Sequence, residues 1–223
     1  MKRFGAIALI AALLIAAVAY VWPPYTNRFR VTIEVDTPDG IKSGSSVLET
    51  TYFESGCWGP VEACGVRARA KGEAIFVDLE SGRNLVGILG WGELGGNENG
   101  IFDLTRAALA SGSKVGWKDE SKLKGRGDLP LQNVPTLITF DDLNNPATAK
   151  VVDPTNFAST FGPGYSLRRV TLETTSAWLT RTIEAKLPWW SSPGRPAEIA
   201  WRAWRNGNNV GVSLVPELLF RKD

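Results

Sequence analysis

The sequence of 223 residues contains no histidine, and this absence excludes several classes of catalytic and metal site. Ser-His-Asp and Cys-His arrangements need an imidazole as the general base, so neither can form in this chain. No side chain titrates near neutral pH at its ordinary pKa. Two cysteines alone are too few ligands for a structural zinc site, which takes four. We therefore predict no catalytic residue from a recognisable motif, no metal site and no cofactor.

The sequence also has little net charge. Lysine and arginine total 25, aspartate and glutamate total 23, and two of the basic residues are Lys2 and Arg3. From residue 24 onward, 23 basic residues are therefore balanced by 23 acidic residues. Because a nucleic-acid-binding domain normally has a basic excess, the composition predicts no nucleic acid partner.

Cysteine is scarce, with only Cys57 and Cys64 in the stretch CWGPVEAC. Their spacing excludes the C-x-x-C motif of thioredoxin-type redox sites. If this stretch lies outside the cytoplasm, a disulfide is the expected state, because oxidising compartments preserve such bonds. The alternative is two separate buried thiols, since free cysteine packs like a small hydrophobic residue.

One long apolar run is present, and it lies at the N-terminus. Residues 4–22 contain no charge, and about 20 helical residues cross the hydrocarbon core of a bilayer. Tyr20 and Trp22 suit the membrane interface, and prolines follow directly. We expect residues 1–24 to be a transmembrane anchor, with a signal peptide cleaved after Ala19 as the alternative.

Both alternatives place residues 25–223 outside the cytoplasm as one domain. Lys2 and Arg3 favour a cytoplasmic N-terminus, although Arg28 and Arg30 follow the apolar run closely. The expected location is the inner (cytoplasmic) membrane, with the C-terminal domain on its outer side.

Short alternating segments predict a fold dominated by β-strands. Residues 28–36 alternate apolar and polar side chains, and a turn at 37–40 leads to a returning strand near 47–53. Further strands are predicted at residues 66–71, 73–79, 85–89, 134–140 and 167–175, with a hairpin loop at 80–84. The pattern indicates an α+β domain with a mostly antiparallel sheet, of the β-sandwich type.

Helices are predicted in three places. Residues 101–110 form a short helix, residues 153–162 begin at Asp153-Pro154 and end at Gly162, and residues 177–187 have apolar side chains four apart. Residues 114–132 are polar and expected to be exposed loop. The last thirty residues fit either a helix or a strand.

Two blocks of this pattern resemble an uncharacterised family of membrane-anchored bacterial envelope proteins. They are RVTIEVDTPDGIKSGSSVLE at 30–49 and the stretch TLITFDDLNNPATAKVVDPTNFASTFGPGYSLRRVTLET at 136–174, with KLPWW ending at Trp190. The resemblance consists of strands, turns and a helix start. It implies membrane anchoring and no particular activity.

Few residues suit catalysis. Ser111 and Lys114 match S-x-x-K, but they follow a predicted helix and the companion motifs of penicillin-binding enzymes are absent. Asp141 and Asp142 could be paired acids or calcium ligands, but adjacent residues at a strand end point to opposite faces. The turn formers that follow favour a solvated turn. Glu93 is a third carboxylate without a motif.

Tryptophan is abundant, with nine residues. Trp58, Trp189 and Trp190 fall in predicted loops, where aromatic side chains can bind sugars or the apolar surface of a partner. The alternative is that they fill the ends of the core or lie at the bilayer surface.

Two functional hypotheses follow. The first is a single-pass envelope protein that uses its β-rich domain, without catalysis, to dock a protein or glycan. The second is an envelope hydrolase or glycan-modifying enzyme that uses carboxylates, with Asp141, Asp142 or Glu93 as candidates. The first is preferred because no motif places a pair of acids.

Overall fold

The computed structural model describes residues 24–55, 65–92, 97–110, 114–187, 189 and 221–222. Within these ranges the protein is dominated by strands in two antiparallel sheets. The expected anchor at 4–22 lies outside the described residues, as do Cys57 and Cys64. In the described part of the chain, no helix is both long enough and apolar enough to cross a membrane.

Ten strands are described, and all seven of those predicted from sequence are among them. In chain order they are β1 (Tyr25–Thr37), β2 (Gly40–Ser55), β3 (Gly65–Glu73), β4 (Ile75–Glu80), β5 (Arg83–Trp91), β6 (Arg126–Asp128), β7 (Pro135–Phe140), β8 (Ala149–Val152), β9 (Ser166–Thr174) and β10 (Arg221–Lys222). The first sheet has the order β10-β3-β2-β1-β9-β6, and the second has the order β4-β5-β7-β8. The sequence did not predict β6 or β8.

The first core lies between the two sheets. The alternation of β1 directs one set of its side chains inward, and all of them are buried: Phe29, Val31, Ile33 and Val35. They share a hydrophobic cluster with the inward side chains of β4: Ile75, Val77 and Leu79. Burying a large apolar side chain contributes about 1.5–3 kcal/mol, so this shared cluster holds the sheets face to face.

The sheets approach closely at Gly44 of β2. A Cβ atom at this position would lie 2.0 Å from the carbonyl oxygen of Phe76, the second residue of β4. Only glycine leaves room for the two backbones at this contact.

A second core covers the other face of the second sheet. Its members from the sheet region are Ala74, Val86, Ile88, Ile138, Phe140 and Ala149, and its members from the C-terminal part are Ile183, Leu187 and Trp189. Strand β5 is therefore buried on both faces from Asn84 onward, which explains why its residues from Leu85 to Trp91 are apolar or glycine instead of alternating with polar ones.

Short helices connect the strands. They are α1 (Leu104–Leu109), α2 (Trp117–Glu120), α3 (Ala158–Phe161) and α4 (Ile183–Lys186), with 3-10 turns at Glu98–Asp103, Leu131–Asn133 and Pro146–Thr148. Helix α1 confirms the helix predicted near 101–110. Helix α3 ends at Gly162, as predicted, and the φ of 97° there suits glycine. The predicted start at Asp153-Pro154 is wrong, because α3 begins at Ala158 and the Asp153 carboxylate accepts from the Thr155 N–H in a turn.

The helix predicted at 177–187 is wrong over most of its length, because only Ile183–Lys186 is helical. Residues 175–182 instead form hydrogen bonds to the first sheet. Thr175 donates its backbone N–H to the Arg28 carbonyl at 3.0 Å, and the Thr180 hydroxyl accepts from the Val47 N–H at 2.9 Å. These tertiary hydrogen bonds replace the internal bonds of a helix.

The prediction of an exposed loop at 114–132 is also partly wrong. The segment contains α2 and β6, and Glu120 at the end of α2 is fully buried. The polar composition of residues 114–132 gave no indication that the Glu120 side chain is buried.

Candidate functional site

A polar cleft of about 550 Å³ lies at the turn between β4 and β5. Its walls come from that turn, from the end of β7, from the start of β8 and from α3. The lining residues are Ser81, Gly82, Arg83, Thr139, Phe140, Asp141, Lys150, Val151, Ser159, Thr160 and Phe161. The cleft therefore joins the β4–β5 turn to three elements from residues 139–161, more than 50 positions further along the chain.

The β4–β5 turn has an unusual backbone. Glu80 and Ser81 have φ angles of 64° and 52°, and Gly82 has a φ of 78°. Positive φ at both Ser81 and Gly82 is the requirement of a type I′ turn between two strands. A residue other than glycine in this region costs about 1 kcal/mol or more, and such strain is concentrated at functional sites. The Asp78 carboxylate supports the bend by accepting from the Glu80 N–H at 2.9 Å.

The floor of the cleft is held rigidly by Asn84. Its side-chain amide donates to the Phe140 carbonyl at 2.8 Å and accepts from the Phe140 N–H at 2.9 Å. The Thr139 hydroxyl donates to the Asn84 carbonyl at 2.7 Å. Because all three groups are buried, these bonds fix β5 against β7 where the cleft opens.

The charges in the cleft leave one cation without a partner. Lys150 Nζ lies 2.6 Å from a carboxylate oxygen of Asp141, and both side chains are largely exposed. The guanidinium of Arg83 stacks over the Tyr165 ring, 5.5 Å from its centroid, and forms no ion pair within the described ranges. The cleft therefore has a net positive charge and favours an anionic ligand.

The remaining polar groups are hydroxyls. The Ser159 hydroxyl donates to the Asn156 carbonyl at 2.7 Å, so its oxygen can still accept a hydrogen bond. Ser81 and Thr160 form no side-chain hydrogen bond within the described part of the chain. Hydroxyls next to a cation suit a ligand with both acidic and hydroxyl groups.

The carboxylates proposed for catalysis are not brought together. Asp141 lines the cleft in its ion pair with Lys150, and no other carboxylate is among the lining residues described. Asp142 instead accepts from the Asn144 N–H at 2.9 Å, in the solvated turn predicted from sequence. Glu93 and Ser111 lie outside the described residues, and Lys114 is exposed.

A buried carboxyl group lies away from the cleft and was missed by the sequence analysis. Glu120 is fully buried, and the Tyr52 hydroxyl donates to its Oε2 at 3.0 Å. Burial raises the pKa of Glu120, and burial together with the charge of Glu120 raises the pKa of Tyr52. Nearby, the Asn27 amide donates to the Thr105 hydroxyl at 2.6 Å. This cluster joins β1, β2, α1 and α2, so its role is structural.

The tryptophans occupy different environments. Trp189 is 7% exposed and packs against Phe140 with ring centroids 6.0 Å apart, which matches the alternative of core filling. Trp91 is also buried, and its indole N–H donates to the Asn133 carbonyl at 3.0 Å. Trp178 is 88% exposed. Trp58 and Trp190 lie outside the described residues.

No protein-family model matches this chain, and neither a curated protein nor a solved structure is significantly similar to it.

Proposed function

We propose that the protein is a single-pass membrane-anchored envelope protein whose β-rich domain, a β-sandwich, docks an acidic glycan without catalysis. Residues 4–22 anchor it in the inner membrane, with the N-terminus in the cytoplasm and the domain outside. The observation that supports docking is the polar cleft with its unpaired cation, Arg83. The hydroxyl-rich lining favours a glycan over a protein, because protein interfaces usually have an apolar centre.

The position of the cleft fits an anchored receptor. In the register of β1 and β2, Lys42 lies opposite Val35, near the end of β1. The ammonium group of Lys42 forms an ion pair with Glu80, which lies beside the cleft. The cleft therefore lies at the end of the sheet opposite to Tyr25. Strand β1 has 13 residues at about 3.3 Å per residue, so ~40 Å separates the two ends. A chain anchored just before Tyr25 would hold the cleft well away from the bilayer.

Calorimetry on the full chain in detergent tests the docking proposal. The probes are a uronic-acid oligosaccharide and a neutral malto-oligosaccharide of the same length. We expect binding of the acidic probe, at least tenfold weaker binding of the neutral one, and at least a tenfold loss with Arg83→Glu. Arg69→Glu, an equal charge change on β3, should leave the affinity unchanged. Equal binding of both probes, or no effect of Arg83→Glu, would contradict the proposal.

Protease accessibility in spheroplasts tests the proposed location. Cleavage of the C-terminal domain, with Cys57 and Cys64 unreactive to alkylation until a reductant is added, supports an outer location and the predicted disulfide. A protected domain in which both thiols react at once would overturn both.

A further inference from the structure

We propose that the end of the domain next to residue 24 lies against an anionic phospholipid surface, which a basic row on β3 contacts. The row consists of Arg67, Arg69 and Lys71, which alternate with small side chains and so point to the same face of the sheet. The inference rests on the proposed membrane anchor and adds an orientation of the domain on the bilayer.

The basic row has one sign of charge and no ion pairs among the described residues. This contrasts with β9, where Arg169 binds Glu34 through two bonds of 2.9 and 3.0 Å. Arg67 and Arg69 are exposed, and Lys71 is half-buried. Elsewhere on the described surface most basic side chains have acidic partners, so three unpaired cations on one strand are a local excess. Charge complementarity points to an anionic partner.

The register places this row beside the point where the apolar N-terminal segment joins the domain. Tyr25 pairs with Tyr52, and Tyr52 pairs with Ala68, so these residues form one line across three strands. Neighbouring strands lie about 4.8 Å apart, which puts β3 roughly 10 Å from β1. Arg67 precedes Ala68 and is therefore one residue nearer than this line to the end of the sheet at which β1 begins. Along the strand direction Arg67 is therefore level with residue 24. A bilayer surface at residue 24 would lie within the Debye length of Arg67, which is about 8 Å at physiological salt.

Exposed apolar and aromatic side chains surround the same end. Phe53, opposite Arg67 in register, is 40% exposed, and Val66 is 46% exposed. Tyr25 and Trp117 are half-buried and stack edge to face with centroids 5.2 Å apart. Aromatic and basic side chains together are typical of protein surfaces at the membrane interface. The uncharged and the charged groups therefore both indicate a bilayer at this end.

A simpler role for the basic row is protection of a sheet edge. Strand β3 pairs with β2, and within the described residues its other side is covered only at Gly72 and Glu73 by β10. Charged side chains on such strands prevent pairing between molecules. That role does not depend on the lipid, so lipid composition separates the two explanations.

Arginine footprinting on the full chain in vesicles tests the inference. The protein is reconstituted in phosphatidylcholine alone or with 30% phosphatidylglycerol, labelled with p-hydroxyphenylglyoxal, and analysed by mass spectrometry. We expect Arg67 and Arg69 to react about fivefold more slowly with the anionic lipid, and the difference to disappear in 1 M salt. Arg83 and Arg168, near the opposite end, serve as internal controls and should react equally in both vesicles.

A charge reversal supplies the matched comparison. Lys71→Glu should reduce the protection of Arg67 and Arg69 to less than twofold, whereas Lys150→Glu should leave it unchanged. Alkaline extraction of the same vesicles reports on the anchor separately. Release of the chain by alkali overturns the anchor and this inference together. A retained chain whose Arg67 and Arg69 react equally in both lipids overturns the inference alone.

Discussion

The carboxylate of Glu73, at the end of β3, connects the first sheet to the C-terminal part of the chain. Its Oε1 accepts from the Thr182 N–H at 2.6 Å, from the Thr182 hydroxyl at 3.0 Å and from the Ile183 N–H at 3.2 Å. Glu73 is 1% exposed, and α4 begins at Ile183. The carboxylate therefore satisfies the first donors of this helix, in the way that an N-cap side chain does.

Glu73→Ala would leave two backbone N–H groups without their acceptor. Each buried and unsatisfied donor costs about 1–3 kcal/mol, which gives about 2–6 kcal/mol for both. Water can reach Thr182, which is exposed, so we expect a loss in the lower half of this range, about 2–4 kcal/mol. Glu73→Gln keeps one acceptor oxygen without the charge and should cost about half as much.

Urea unfolding followed by tryptophan fluorescence measures these losses. Glu173→Ala is the matched control, because Glu173 is an exposed glutamate in a strand of the same sheet, and it should change stability by less than about 0.5 kcal/mol. A loss of under about 1 kcal/mol with Glu73→Ala, or an equal loss with Glu173→Ala, would refute the idea that Glu73 holds the C-terminal part in place.

Two further predictions concern packing and buried charge. Burial raises the pKa of Glu120, so its carboxyl group holds a proton more tightly in the folded chain than in the unfolded chain. The contribution of Glu120 to stability is therefore lost as pH rises above about 4.3, the ordinary pKa of glutamate. The stability of Glu120→Gln relative to wild type should therefore increase between pH 4 and pH 8 in thermal unfolding, and a pH-independent difference would contradict this. Gly44→Ala should cost about 1–3 kcal/mol, because the new Cβ meets the Phe76 carbonyl, whereas Gly116→Ala, with open space around it, should cost under about 1 kcal/mol in the same assay. Equal losses for the two glycines would contradict the close contact between the sheets.

The strands were predictable from sequence where local alternation determines burial. Strand β1 alternates between buried and more exposed side chains, and Gly82 marks the turn at 80–84, although Glu80 and Ser81 in the same turn also adopt positive φ. The structure of residues 177–187 was not predictable, because the spacing of their apolar residues fits a helix, whereas only Ile183–Lys186 is helical. What decides its structure is the bonding of Thr180 to Val47 and of Ile183 to Glu73, groups that are distant in the sequence.

Of the candidate site, the sequence predicted Asp141 but neither its ion pair nor the other charged residues of the cleft. Asp141 stood out as a carboxylate at a strand end, but its ion pair with Lys150 depends on the pairing of β7 with β8, and β8 was not foreseen. Arg83 had no distinguishing sequence feature. Its importance comes from Tyr165, which lies beneath it in the fold and far along the chain. Glu120 was concealed in a polar stretch, since burial of a single charged residue leaves no periodic pattern.

The central position of β1 in the first sheet affects how the chain must fold during synthesis. Strand β1 is made early, but one of its two neighbours is β9, and Glu34 and Arg169, which face each other across this pair, are 135 positions apart. Until the ribosome has passed β9, one edge of β1 has no partner within the sheet. Contacts over such distances form slowly, and unpaired strand edges promote aggregation. In a growing chain β1 would therefore stay incompletely paired until β9 emerged, and truncation before residue 166 should give an insoluble or rapidly degraded product.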